Sequence, residues 1–182
     1  MRIIAGIAKG MVLAVPRGDD VRPTSDRVRG AIFSSLGARV VDATVLDLYA
    51  GTGALGFEAA SRGAQSVTFV DRSVESIQKN LAVFQKYRNS EFEILRGDVM
   101  THLKKMGRQF SLVFADPPYA MDPEPLLQEV RHVIAPGGTL VLEMSKRATL
   151  RLGSDGLLEL EREATYGDTR VCHVRVAGIG GH

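Results

Sequence analysis

Apolar and polar positions along this chain follow two periods, and the switch between them lays out a fold. From Val45 onward, short apolar runs at 45–49, 66–70, 91–95, 110–115 and 138–143 predict buried strands. Between them, apolar residues recur every three or four positions and predict helices over about 54–62, 73–87, 98–106 and 122–134. The stretch 73–87 is the clearest: Ser73 is placed to cap it, and Val74, Ile77, Leu81 and Phe84 form one apolar stripe that belongs to a core. Strands alternating with helices over short links predict a parallel sheet with right-handed crossovers. Pro136-Gly137-Gly138 marks the turn before the fifth strand.

Both ends depart from this rhythm. Residues 2–6 and 11–15, around a Gly/Lys turn, predict a hairpin. After a polar loop over 16–23, Thr24 or Ser25 caps a helix carrying Val28, Ile32 and Leu36 at spacings of four. Near the other end, 157–164 and 170–176 are strand-like and joined by Tyr166-Gly167-Asp168, which predicts a closing antiparallel hairpin. The predicted class is α/β, Rossmann-like: a seven-stranded, mostly parallel sheet with a terminal antiparallel hairpin. Residues 1–38 form an N-terminal hairpin and helix, 39–177 the main domain, and 178–182 a flexible tail.

Composition narrows the picture little. A chain of 182 residues suits one domain with a real core, and 45% hydrophobic with 24% charged residues is ordinary for a soluble protein. No apolar run approaches a membrane span, and the N-terminus does not read as a signal peptide, so no membrane partner and a cytoplasmic location are expected. The one cysteine, Cys172, excludes an intramolecular disulfide and a cysteine-rich zinc site; His102, His132 and His173 lack metal-ligand spacing, so no metal is expected. Charge matters more. Residues 1–30 hold six basic side chains (Arg2, Lys9, Arg17, Arg22, Arg27, Arg29) against three acidic ones, whereas the whole chain is only +2. A basic N-terminal section on a near-neutral body fits phosphate contact. Arg96, Lys104, Lys105 and Arg108 read better as a solvated face than as a basic rim.

The candidate chemistry lies at predicted strand ends, where open α/β sheets hold ligands. After the first parallel strand, Asp47-Leu48-Tyr49-Ala50-Gly51-Thr52-Gly53-Ala54-Leu55-Gly56 opens a helix with glycines spaced for close backbone approach to a ligand. Asp71, followed by Arg72, ends the second strand and suits ribose hydroxyls. A nicotinamide dinucleotide and S-adenosylmethionine both fit that much. Asp47 favours the second, because a carboxylate there compensates an ammonium or sulfonium and repels a pyrophosphate. Asp98, with the Val99 N–H, suits an adenine amino group and is equally placed to cap the next helix. After the fourth strand comes Asp116-Pro117-Pro118-Tyr119. Asp116 and a carbonyl of the Pro-Pro turn can both accept hydrogen bonds from an exocyclic amine, the prolines carry no competing N–H, and Tyr119 offers a face on which a base stacks.

That motif resembles the catalytic stretch of S-adenosylmethionine-dependent methyltransferases acting on exocyclic amines of nucleic-acid bases. More specifically, the chain from Arg2 to Val176 resembles the bacterial 16S ribosomal RNA guanine-N2 methyltransferases. The resemblance rests on Arg2-Ile3-Ile4-Ala5-Gly6 with Lys9-Gly10, Arg22-Pro23-Thr24-Ser25-Asp26-Arg27-Val28-Arg29, residues 47–63, Asp116–Tyr119 and Tyr166-Gly167-Asp168-Thr169. It implies a class I methyltransferase fold and S-adenosylmethionine as cofactor. It also implies a monomer working on 16S ribosomal RNA, within a small-subunit particle. Asp116 and Pro117 would orient the amine and Tyr119 would stack. Asp47, Tyr49, Gly51, Gly53, Asp71, Arg72, Asp98, Val99 and Asp116 would hold the cofactor. Arg22, Thr24, Arg27, Arg29 and Tyr119 would meet the RNA. Gly30 departs from the family, which usually has a large polar residue there, and implies a kinked or weakened helix. The alternative substrate is adenine N6 in DNA or RNA, although no target-recognition insertion is evident. A pyrimidine C5 methyltransferase is disfavoured, since Cys172 falls in a late strand far from Asp116.

Overall fold

The computed structural model describes residues 1–16, 24–87 and 89–178. Among these, seven strands form one sheet: β1 (Thr44–Leu48), β2 (Ser66–Asp71), β3 (Glu91–Arg96), β4 (Phe110–Ala115), β5 (Ile134–Ser145), β6 (Leu158–Tyr166) and β7 (Thr169–Val176). Their order is β3-β2-β1-β4-β5-β7-β6. The first five are parallel, and β7 runs antiparallel to both β5 and β6. The order reverses between β1 and β4, which is where a ligand crevice opens in such sheets.

Side chains alternate across the sheet, and each face is buried against helices. Val45, Val67, Phe69, Phe114 and Val141 pack with α1 (Asp26–Leu36), α2 (Ala54–Ser61) and α3 (Glu75–Phe84). Leu46, Leu48, Val70, Val113, Leu140 and Leu142 pack with α4 (Val99–Lys105) and α5 (Pro123–Val130). By this alternation Asp47, Asp116 and Glu143 face the α1–α2 side. No described helix is long and apolar enough to cross a membrane.

The predicted N-terminal hairpin is reduced to a single bridge, Arg2 with Val12. The cause lies in α2 and α3, whose buried polar side chains take the backbone groups a second strand would have used. The Glu58 carboxylate, fully buried, accepts from Ile4 N and Ala5 N, and Ser61 Oγ accepts from Ala8 N. Asn80 accepts from Ala14 N and donates to Ala14 O and Thr52 O. Ile3, Ala8, Met11 and Leu13 thereby join the core of the α1–α3 face.

Other boundaries shift for identifiable reasons. Ser25 caps α1 by accepting from Val28 N, which frees Thr24 for the site. Ser73 does not cap α3; its hydroxyl donates to Glu75, and the helix starts after Val74. The helix expected over 122–134 ends at Val130, and β5 begins at Ile134. Its pairing with β4 jumps from Phe110–Ile134 to Leu112–Thr139, so Pro-Gly-Gly sits in a bulge within the strand rather than before it. Gly30 lies inside an uninterrupted α1 with only the Ile4 side chain near the position of a Cβ. The tail beyond Gly178 falls outside the described residues.

Candidate active site at the carboxyl ends of the strands

A cavity of about 960 Å³ opens over the carboxyl ends of β1–β5. In spatial order across the sheet it is lined by Asp98 after β3, Asp71 on β2, Asp47 on β1, Asp116 after β4 and Glu143 on β5. The first four are the acids expected from the sequence. Glu143 is the fifth, and the strand-end pattern does not point to it. Its one signal is a single charge inside the otherwise apolar run Leu140–Met144, and the register Ala115–Leu142 sets it beside Asp116.

The loop after β1 is shaped for close approach. Tyr49 and Gly51 both have positive φ, 56° and 58°. For Tyr49 this is a strained conformation, of the kind that gathers at functional sites. Gly56 is required by space: a Cβ there would come within 2.4 Å of Phe69 and 3.0 Å of Asp47 Oδ2. Asp47, only 2% exposed, accepts from Gly56 N at 2.9 Å. Burial pushes its carboxyl well above the usual range; the Gly56 N–H opposes this, and the Asp71 and Asp116 charges add to it. Asp71 accepts from Gly51 N at 2.8 Å and Ser73 N at 2.9 Å, tying β2 to the glycine turn. Asp98 caps α4 through Thr101 N and pairs with Arg72 at 2.9 Å. These bonds hold its carboxyl below the ordinary value, Arg72 contributing most. The Tyr49 hydroxyl lies 3.5 Å from Met121 Sδ, and burial pushes its pKa up to about 12.

The other half of the cavity is assembled from distant segments. Thr24 Oγ1 lies 3.0 and 3.2 Å from the two Glu143 carboxyl oxygens, and its hydroxyl favours ionisation of the Asp116 carboxyl. Glu143 is 4% exposed. Burial, then the adjacent Asp116 charge, pushes Glu143 up to about 8, while burial pushes Asp116 up to about 6. The Asp116 charge beside Glu143 opposes its ionisation, so Glu143 is the carboxyl that keeps its proton to the higher pH. Tyr119, 46% exposed, is tied through its hydroxyl to Thr169 Oγ1 at the start of β7. The preceding turn is pinned by Lys146, whose N–H donates to the Asp168 carbonyl and whose ammonium pairs with the Asp168 carboxylate at 2.9 Å. Thus the Tyr166–Thr169 stretch singled out in the sequence braces the ring expected to stack.

Of the four residues assigned to RNA only through the N-terminal segment, two line the cavity. Arg27 is exposed at its rim, and Thr24 reaches inside. Arg22 lies outside the described residues. Arg29 corrects an expectation: it is fully buried, donates to the Arg2 carbonyl and pairs with Asp26, so it cannot meet a phosphate where it stands. Arg96 and Arg108 are engaged with Glu75 and Glu93.

S-adenosylmethionine fits the residues present. Burial, and then the charges of Asp71 and Asp116 on the strands either side, raise the cost of ionising Asp47, which a bound ammonium or sulfonium would relieve. The glycine turn leaves backbone open to a ligand on the Asp71 side.

The family model described as Conserved hypothetical protein 95 matches residues 1–175. The ribosomal RNA small subunit methyltransferase D of Escherichia coli strain K12 is 38% identical over 146 residues, 79% of this chain and 71% of that protein. The solved structure of yhhF from Escherichia coli is similar with a TM-score of 0.85 at 31% identity, over 98% of both chains. SMU.776, solved in complex with SAH, is similar at TM-score 0.66 and 18% identity over 82% of this chain and 48% of that one, a likeness of fold alone.

Proposed function

The chain belongs to the Conserved hypothetical protein 95 family, and on that premise we propose that it methylates ribosomal RNA at the exocyclic N2 amine of a guanine in the small-subunit 16S molecule. Its cofactor is S-adenosylmethionine. When bound, that cofactor supplies an electrophilic methyl group on a sulfonium. Asp71 and the Gly51–Gly53 turn would hold the sugar and amino-acid portions, and Asp98 with Val99 N–H would hold the adenine. Asp47 compensates the positive charge.

The observation that carries the proposal is the placement of Asp116. It stands at the switch point of the sheet, between Asp47 and Glu143, directly before a turn whose first two residues have no N–H to offer. As a carboxylate it accepts from the amine, and the Pro117 carbonyl is a second acceptor. Together they turn the amine's lone pair toward the methyl carbon, so positioning supplies most of the acceleration. The proton shed by the methylated amine passes to Asp116 or to water. Tyr119, braced by Thr169, stacks on the base. Arg27 at the rim, with Arg22, meets phosphates.

Mass spectrometry of 16S ribosomal RNA nucleosides from cells with and without the gene tests this. Loss of one N2-methylguanosine is expected. Loss of N6-methyladenosine instead would replace the substrate, and an unchanged nucleoside profile would refute the assignment.

A further inference from the structure

The Thr24 hydroxyl has one proton and two carboxyls to serve. It lies within 3.2 Å of both Glu143 oxygens, and the strand register sets Glu143 beside Asp116, whose ionisation Thr24 favours. If both carboxyls were ionised, they would repel each other and compete for that single donor. If one carries a proton, all three groups connect in one direction. The choice between them follows from position. Asp116 is half-buried and lines the cavity beside Tyr119, whereas Glu143 is 4% exposed on a central strand. The group that loses most from ionisation is therefore Glu143.

We propose that Glu143 is a positioning residue acting through Thr24: as the neutral acid it donates to Thr24 Oγ1, which leaves the Thr24 hydroxyl proton to Asp116 and aims that ionised carboxylate at the incoming amine. This rests on Asp116 being the amine's acceptor. The segment before α1 is then part of the catalytic apparatus, since Thr24 carries the link between β5 and the Asp116 turn. Glu143 interacts with Asp116, with Asp47 from β1 and with Thr24. From β7 its cross-strand neighbour is Val171, and Arg170 on that strand donates to the Ala148 carbonyl and Met144 Sδ instead. Among the described residues, the cationic side chains lining the same cavity are Arg27 and Arg72, and its phenols are Tyr49, Tyr119 and Tyr166.

Activity needs Asp116 ionised and Glu143 neutral, so kcat/KM rises through about 6 and falls through about 8. Stability moves one way only. The folded state keeps the Glu143 proton from its ordinary 4.5 up to about 8, where the unfolded chain has lost it, so stability falls as pH rises across that window.

The test is the pH profile of methyl transfer in wild type, Glu143→Gln, Thr24→Ser and Thr24→Val, with Asp116→Ala beside them. The Gln amide donates to Thr24 at every pH. Glu143→Gln is expected to turn over severalfold more slowly at neutral pH and to stay level up to about pH 9, whereas wild type falls about tenfold for each pH unit beyond its upper pKa. Thr24→Ser should retain the bell, and Thr24→Val should drop at least about tenfold at neutral pH. Thermal melts between about pH 5 and 8 should show wild type losing stability relative to Glu143→Gln as pH rises. A Glu143→Gln profile with an unchanged basic limb would overturn the proposal. So would a folded Glu143→Gln inactive at every pH, which would make Glu143 an ionised base. An active Asp116→Ala would instead refute the underlying assignment of Asp116.

Discussion

The two halves of the cavity are built in opposite ways. On the β1–β3 side every acid is fixed by backbone a few residues away or one strand over: Asp47 by Gly56 N, Asp71 by Gly51 N and Ser73 N, Asp98 by Thr101 N. On the β4–β5 side the acids are fixed by side chains from far along the chain. Asp116 and Glu143 meet at Thr24, 119 residues from Glu143, and Tyr119 is held by Thr169, 50 residues away. The first half is a local fold of the chain, and in the proposed function it holds the cofactor. The second is a meeting point of four segments. That contrast predicts that damage to one half spares the other.

The sharpest way to break the contrast is at Asp116. Asp116→Ala should lower methyl transfer by about 10²–10³-fold, by analogy with removing one preorganised polar group, and leave cofactor affinity unchanged by calorimetry. Asp116→Asn should also be impaired, since its amide can place a donor where the amine needs an acceptor. Asp71→Ala is the converse. It should weaken S-adenosylmethionine binding by about 1.5–3 kcal/mol for each charge-assisted hydrogen bond it removes, with transfer at saturating cofactor largely kept. Smaller again is Arg27→Ala, which should reduce the log–log salt slope of RNA binding by about 0.7–0.9 while cofactor affinity holds. A slope indifferent to Arg27 would mark it as a solvated rim. The smallest effect is Gly30→Ala. With space for a Cβ in the middle of α1, it should stabilise the protein by about 0.5–1 kcal/mol in denaturant unfolding. Destabilisation there would mean that the helix needs glycine for a reason other than room.

The same contrast decides what can be read from the sequence. The parallel sheet, its closing hairpin and the acids Asp47, Asp71, Asp98 and Asp116 are legible because each is written locally, as a strand, a turn and a cap within a short stretch of chain. Glu143 is not, because its importance lies in a register with β4 that no local pattern states. Arg29 misleads for a related reason. Its charge is visible in the sequence, but its burial against Arg2 and Asp26 depends on how the N-terminal segment crosses α1. The N-terminal hairpin is shortened to one bridge, and Glu58, Ser61 and Asn80, all residues of later helices, hold backbone groups along it.

The division of labour is tested most directly by measuring two quantities on each of two variants: S-adenosylmethionine affinity by calorimetry, and transfer of labelled methyl to small-subunit RNA at saturating cofactor. A crossed pattern is expected, with Asp71→Ala binding weakly but transferring, and Asp116→Ala binding normally but not transferring. Near-normal transfer by Asp116→Ala would contradict the central claim.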